Sequence, residues 1–428
     1  MAVSVVCGLS LAWSQAFEKK PDDPAFERYG KVPAAPIPAS LVLKKGDRLA
    51  ICGDSITEQR MYSRVIETYL TACRPELDVT VRQYGWSGER APGFLARMTN
   101  DCLRFKPTVA TTCYGMNDHE YRVFEESIGT KYRESARQIL QAFRTAGTRV
   151  IWGSPGCVGL KPSWSKAKDA TVDDLNENLF RLRNAGLELA HAEKAGFADV
   201  FWPMLTLSHH ARKDYGTHYA LAGQDGVHPD WAGQAVMATA FLRSMGLAGE
   251  LGRIDLDLST GRTETSQGHA VKNFDQGILR MRSTRYPFCA TGPRDKDHSL
   301  RGGLLLAGFF EDLNRFVLRV RGAKEESYRV TWGPETRTYK ASELEAGVNL
   351  ALDFEVNPFS EAFGRVDSAV AAKQEYETRQ IKQLFHGPEG RADMEATVEF
   401  TERIRTPLAH RIRKAMAPVE HTLLIHPK

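Results

Sequence analysis

Gly53-Asp54-Ser55-Ile56-Thr57-Glu58-Gln59 follows directly on Leu49-Ala50-Ile51-Cys52, a run apolar enough to be a buried strand. A parallel strand that ends in Gly and a small hydroxyl residue, with helix-like sequence after it, sets that hydroxyl at the carboxyl edge of a sheet. Open α/β folds build their sites at that edge, so Ser55 is a candidate nucleophile. The same residues also fit a second pattern. Ser55-Ile56-Thr57-Glu58 matches the S-x-x-E capping box, in which the two polar side chains satisfy orphan amides at a helix start. What separates the two readings is whether other segments supply a base, an acid to orient it and donors for an oxyanion.

From Leu49 to about Gly246 apolar strand-like runs alternate with longer amphipathic stretches. The strands are read at Leu49–Cys52, Val79–Tyr84, Val109–Tyr114, Val150–Trp152 and Ala198–Trp202. Helix-like stretches include Met61–Cys73, Lys131–Ala146 and Val172–Ala195. Such alternation predicts βαβ units and a parallel sheet covered by helices on both faces.

The loops after these strands carry the informative residues. After the second comes Gln83-Tyr84-Gly85-Trp86-Ser87-Gly88-Glu89-Arg90, and after the third Tyr114-Gly115-Met116-Asn117-Asp118. Long loops are read at Ser154–Thr171 and Leu205–Asp225, the latter leading into Asp225-Gly226-Val227-His228-Pro229-Asp230. Pro229 and Asp230 suit a helix start, and Trp231–Met245 is apolar at helical spacing until Gly246. An Asp and a His three apart on such a turn can meet, so Asp225 can hold the Nδ1 proton of His228 and leave Nε2 free as a base.

The remaining parts of the chain read differently. Residues 17–40, rich in Pro, Lys and Ala, form an extended leader, and 41–250 a catalytic domain. Residues 255–360 show short runs broken by turn residues, including Gly277–Ser283, Gly303–Gly308, Arg315–Arg321, Tyr328–Trp332, Thr336–Tyr339 and Val348–Phe354, as in an antiparallel sheet. Residues 361–428 turn helical, with Val419–Ile425 as a candidate last strand.

Net charge is only +4, from 57 basic and 53 acidic residues, so no strong field exists to hold nucleic acid. Residues 2–13 form an apolar core too short to span a membrane, and Ser14-Gln15-Ala16 offers small residues for cleavage. The expectation is a signal peptide over residues 1–16 and a secreted or periplasmic protein. Cys52, Cys73, Cys102, Cys113, Cys157 and Cys289 lack C-x-x-C spacing, so neither a zinc site nor a small disulfide scaffold is indicated, with room left for one or two disulfides.

Four separated segments thus supply complementary chemistry. Ser55 can attack a carbonyl, His228 can take its proton and Asp225 can orient His228, while oxyanion donors can come from the Ser55 and Gly88 amides and the Asn117 side chain. Gly53-Asp54-Ser55-Ile56, Gly85-Trp86-Ser87-Gly88, Gly115-Met116-Asn117-Asp118 and Asp225-Gly226-Val227-His228-Pro229 resemble, in order, the four blocks of the SGNH (GDSL-type) hydrolases. The resemblance covers residues 41 to 247. It implies a flavodoxin-like three-layer α/β/α domain, a Ser55-His228-Asp225 triad and an oxyanion hole from Ser55, Gly88 and Asn117. In one departure, Gln83 stands where the family usually has Asn, which puts a supporting hydrogen bond in question. The G-x-S-x-G elbow of the α/β-hydrolases is absent.

Trp86, Asp118 and Trp164 are candidates for substrate contact, with Trp231 a further aromatic face, although core packing is the commoner fate of such rings. Asp54 is expected to brace the turn under Ser55. His209, His210 and His218 show no metal-ligand spacing, and neither a metal nor a cofactor is implied. The expected partner is an acylated small molecule or polysaccharide. Expected export, polar loops and the appended β-rich part favour a carbohydrate O-acetyl esterase. The alternatives are a broader esterase such as a lysophospholipase or thioesterase, and a polysaccharide-binding protein with a dead site. Activity is expected to rise with pH as His228 becomes a neutral base.

Overall fold

In a computed structural model, which describes residues 16–428, the first half of the chain builds a five-stranded parallel sheet. Its strands are β1 (Arg48–Gly53), β2 (Thr80–Gly85), β3 (Val109–Cys113), β4 (Arg149–Gly153) and β5 (Gly196–Ala198), in the order β2-β1-β3-β4-β5. That is the flavodoxin-like order, whose strand sequence reverses between β1 and β3 and opens a crevice there. From Leu49 to Gly53 β1 is buried on both faces, which explains its unbroken apolar run. Helices α1 (Ser55–Glu58), α2 (Tyr62–Thr68), α3 (Ala91–Asp101), α4 (Glu126–Thr145), α5 (Val172–Ala192), α6 (Phe201–Tyr215) and α7 (Trp231–Ser244) connect and cover the strands. The result is the three-layer α/β/α domain expected.

One strand differs from its sequence reading. The run Ala198–Trp202 lies at the end of β5 and the start of α6, and most of the supposed loop 205–225 is that helix. Val200, Phe201 and Trp202 are buried, and a short buried apolar run does not itself distinguish strand from helix. His209 sits on α6, its ring against Phe26 of the leader.

The second half adds two sheets. Strands β6 (Glu250–Asp257), β7 (Thr263–Thr265), β8 (His269–Asp275), β9 (Ile278–Ser283), β10 (Arg315–Arg321), β11 (Ser327–Trp332), β12 (Glu335–Lys340), β13 (Val348–Asn349) and β14 (Val419–Pro427) pair as β13-β10-β6-β7 and β12-β11-β14-β9-β8. Pairing is antiparallel as expected, except that β6 and β10 run parallel. Gly303–Gly308, read as a strand from its Gly-bounded apolar run, instead falls at the end of the helix Leu300–Leu306 and the turn after it, and only Val348–Asn349 of the run 348–354 is strand.

Because β14 lies between β11 and β9, the helices Ser360–Arg379 and Met394–Ala415 form an excursion from the β-rich part, held at both ends. They cover the edge strand β2: the Lys373 ammonium and the Arg405 guanidinium both donate to the Val81 carbonyl, at 2.7 and 3.1 Å. Both cations are buried and both are paired with Glu377, at 2.8 and 2.7 Å, as burial of charge demands. Strand edges invite foreign pairing, and here the chain's own helices occupy the edge. All six described cysteines are free, so the disulfides allowed by their number are not formed. The expected cleavage region falls almost wholly outside the described residues. Among the described residues no helix is long and apolar enough to cross a membrane.

Candidate active site

At the end of β1, Asp54 caps the short helix α1, its carboxylate accepting from the Ile56 amide at 3.0 Å. The capping-box reading therefore assigns the wrong residues. Asp54 is the cap, and Glu58 reaches instead to the Ser87 amide and the Lys382 ammonium. That frees the Ser55 hydroxyl, which lies 2.8 Å from His228 Nε2. His228 Nδ1 lies 2.7 Å from Asp225 Oδ2. A carboxylate there can only accept, so Nδ1 carries the proton and Nε2 is the acceptor facing Ser55.

The turn that holds the acid and base is locked twice. Asp225 Oδ1 accepts from the amides of Val227 and His228, both at 2.9 Å. Partial burial opposes its ionisation, but those amides and the imidazole outweigh it and hold the carboxyl below its ordinary range. Gly226 has φ +84, and a Cβ there would lie 2.1 Å from the Leu160 carbonyl oxygen; the Gly159 amide in turn donates to Gly226 O at 2.9 Å. Residues 154–171 thereby clamp the turn carrying Asp225 and His228.

The two loop-borne oxyanion candidates are held differently. Gly88 is exposed and has φ +74, and a Cβ there would meet nothing within 4 Å; glycine is needed for conformation, not for space. Asn117 is fixed through both ends of its amide. Its Oδ1 accepts from the Tyr121 hydroxyl at 3.1 Å, and its Nδ2 donates to Glu89 O at 3.1 Å. Tyr121 and its neighbour Glu120 both have positive φ, 55 and 58, a backbone cost of a kind that clusters at functional sites. Below this level Asp54 is buried, and burial, then the nearby Asp118 and Glu89 carboxylates, push it up to about 7 against the pull of the Ile56 amide.

The substrate-contact candidates separate. Trp164 is 43% exposed, with its ring centre 5.8 Å from that of His228 and 5.9 Å from that of Tyr121. Trp86 is half-buried between His386, Arg97 and Lys382. Asp118 does not present a free carboxylate: it is buried and accepts from the Ala91 and Gly115 amides, each at 3.0 Å, so it braces the loop that carries Asn117. Trp231 has the Arg64 guanidinium 5.8 Å from its ring centre. Gln83 resolves the departure noted in its block. Its side-chain oxygen accepts from the Gly85 amide and its nitrogen donates to Thr378, so the longer residue reaches a partner in the C-terminal helix. Tyr121, Lys382 and this use of Glu58 carry no local sequence signal. Among the described residues no group of three His, Cys, Asp or Glu side chains could hold a metal ion.

Residues 51–236 match the model of the GDSL-like lipase/acylhydrolase family. No curated protein matches the chain. Among solved structures, a gut microbial diltiazem-metabolizing enzyme superposes with a TM-score of 0.72 at 20% identity, covering 91% of this chain and all of its own. The likeness extends beyond the first half, so the appended sheets and helices recur with the parallel-sheet domain. Axe2, an acetylxylan esterase from Geobacillus stearothermophilus, covers 48% of this chain and 97% of its own at 20% identity, with a TM-score of 0.40.

Proposed function

We propose that the chain is a carboxylic ester hydrolase, since residues 51–236 match the model of the GDSL-like lipase/acylhydrolase family, and that Ser55, His228 and Asp225 perform the hydrolysis through an acyl-enzyme. The observation that carries this is the continuous relay from Ser55 Oγ to His228 Nε2 at 2.8 Å and from His228 Nδ1 to Asp225 at 2.7 Å. Ser55 Oγ attacks the acyl carbon as Nε2 takes its proton. The oxygen of the carbonyl gains negative charge and is met by the Ser55 and Gly88 amides and the Asn117 amide group. His228 then protonates the departing alkoxide, leaving the acyl group on Ser55. Water, deprotonated by the same nitrogen, attacks the acyl carbon; the bond to Ser55 Oγ then breaks, His228 returns the proton to Oγ and the acid leaves. Each oxyanion donor is worth about 10²–10³ in rate in comparable sites.

The substrate class we propose is O-acetyl esters of sugars. Trp164 supports it, since an exposed indole face beside the catalytic imidazole suits a sugar ring. The polar character of residues 154–171, with Lys161, Lys166, Lys168 and Asp169, suits a hydroxyl-rich leaving group better than an acyl chain. Acetate release from acetylated oligosaccharides, compared with p-nitrophenyl acetate and octanoate, tests this. Preference for the octanoate would favour the broader esterase reading. The apolar stretch 2–13 carries a separate proposal, export, to be tested by the mass of the mature protein.

A further inference from the structure

Gln83 to Ser87, the run leading to Gly88, is gripped by one stretch of the C-terminal region, Glu377 to His386. The Gln83 amide donates to Glu377 Oε2 at 3.2 Å, and its side chain donates to Thr378. The Trp86 ring stands edge-on to His386 with centres 4.9 Å apart, and His386 is itself held by Asp101 at 2.8 Å. Lys382, on the π-wound segment Gln380–Phe385, places its ammonium 5.4 Å from the Trp86 ring centre and 2.8 Å from each oxygen of Glu58. Glu58 accepts in turn from the Ser87 amide.

Glu58 lies on α1, three residues after Ser55. One carboxylate therefore ties the helix bearing Ser55 to the loop bearing Gly88, two sources of oxyanion donors. Ser87 and Gly88 are both exposed, so packing does little to hold this loop, and hydrogen bonds must orient it. A lone carboxylate would be a poor holder. It would be free to swing to water, and its charge would oppose the negative charge of the transition state. Lys382 answers both problems by fixing the carboxylate and cancelling its charge.

We propose that Lys382 is a positioning residue for the oxyanion site, acting through Glu58 and the Ser87 amide on Gly88. The C-terminal half is then part of the catalytic device. This inference rests on the assignment of Ser55 and Gly88 above. It is tested on the full chain with p-nitrophenyl acetate, using K382M, K382R, E58Q and E58Q/K382M, with S55A as reference and melting temperatures for all. K382M is expected to lower kcat about 10- to 100-fold, with KM within about two-fold, since small misplacements of catalytic groups cost that much. K382R should recover most of the loss, and the double variant should be no slower than its slower parent. A K382M protein with a lower melting temperature and wild-type kcat would overturn the proposal, as would a double variant whose loss is the product of the single losses. Turnover surviving in S55A would overturn the triad assignment itself; an inactive S55A beside a fully active K382M would overturn the Lys382 role alone.

Discussion

Among the described residues, two chains of serine and histidine hydrogen bonds stand in contrast, and only the first has the partners that the proposed hydrolysis needs. In the first, Ser55, His228 and Asp225 sit at the crevice end of the parallel sheet, with His228 and Asp225 partly open to solvent. The second joins the two C-terminal sheets. The Trp332 indole N–H donates to His421 Nδ1 at 3.3 Å, and His421 Nε2 lies 2.9 Å from Ser283 Oγ. Ser283 Oγ lies 2.8 Å from His269 Nδ1, and His269 Nε2 donates to Leu251 O at 2.8 Å. A carbonyl acceptor at one end and an indole donor at the other fix every proton along it, with both rings neutral. The serine–histidine distances are alike in the two chains. The first ends in a carboxylate that can stabilise an imidazolium and opens to substrate, whereas the second ends in neutral groups and is buried. Proximity of Ser and His does not make a nucleophile; the third partner and access do.

The largest effect expected from breaking this contrast is in S55A, which should lose about 10⁶ in kcat on p-nitrophenyl acetate while keeping its melting temperature. D225N keeps the shape but no longer holds the imidazolium, and should lose about 10⁴ in kcat. S283A should do the reverse. It leaves ring nitrogens of His269 and His421 without partners in a buried site, so denaturant unfolding should show a loss of about 1–3 kcal/mol with kcat unchanged. An S283A protein with impaired kcat and full stability would erase the distinction.

Acid sharpens the same contrast. Burial lowers the proton affinity of His269, and pushes His421 down to about 3, with His269 as a further cause. Below the ordinary imidazole range near 6.5 the unfolded chain takes up protons that the folded rings refuse, so stability should fall as pH drops from about 6.5 toward 3. Melting temperatures recorded over that range should show the fall in wild type and S55A alike. Asp225, whose carboxyl is held low, should stay ionised through the upper part of that range. Activity, which needs a neutral His228, should rise with pH as measured by kcat/KM.

Much of this was legible in the chain. The blocks around Ser55, Gly88 and Asn117 are local turns after strands and that around His228 a turn before α7, and turn residues leave their mark over four to seven positions. What escaped was of two kinds. Short apolar runs such as Phe201–Trp202, buried, and Leu304–Leu306, partly buried, are compatible with either secondary structure, and periodicity does not choose for them. Contacts such as Glu58 with Lys382 join positions 324 residues apart, and nothing near either residue points to the other. Glu58 was open to the capping-box reading because its true partners are a distant lysine and an amide on another loop. The buried chain through Ser283 was invisible for the same reason, since its members come from five strands.

That Ser55 and not Ser283 is the nucleophile is most directly tested by labelling the native protein with a fluorophosphonate and mapping the adduct by peptide mass. A single phosphonylated site is expected, on the peptide containing Ser55, with hydrolysis lost in proportion and no label in S55A. An adduct on Ser283, or full labelling with undiminished hydrolysis in S55A, would contradict it.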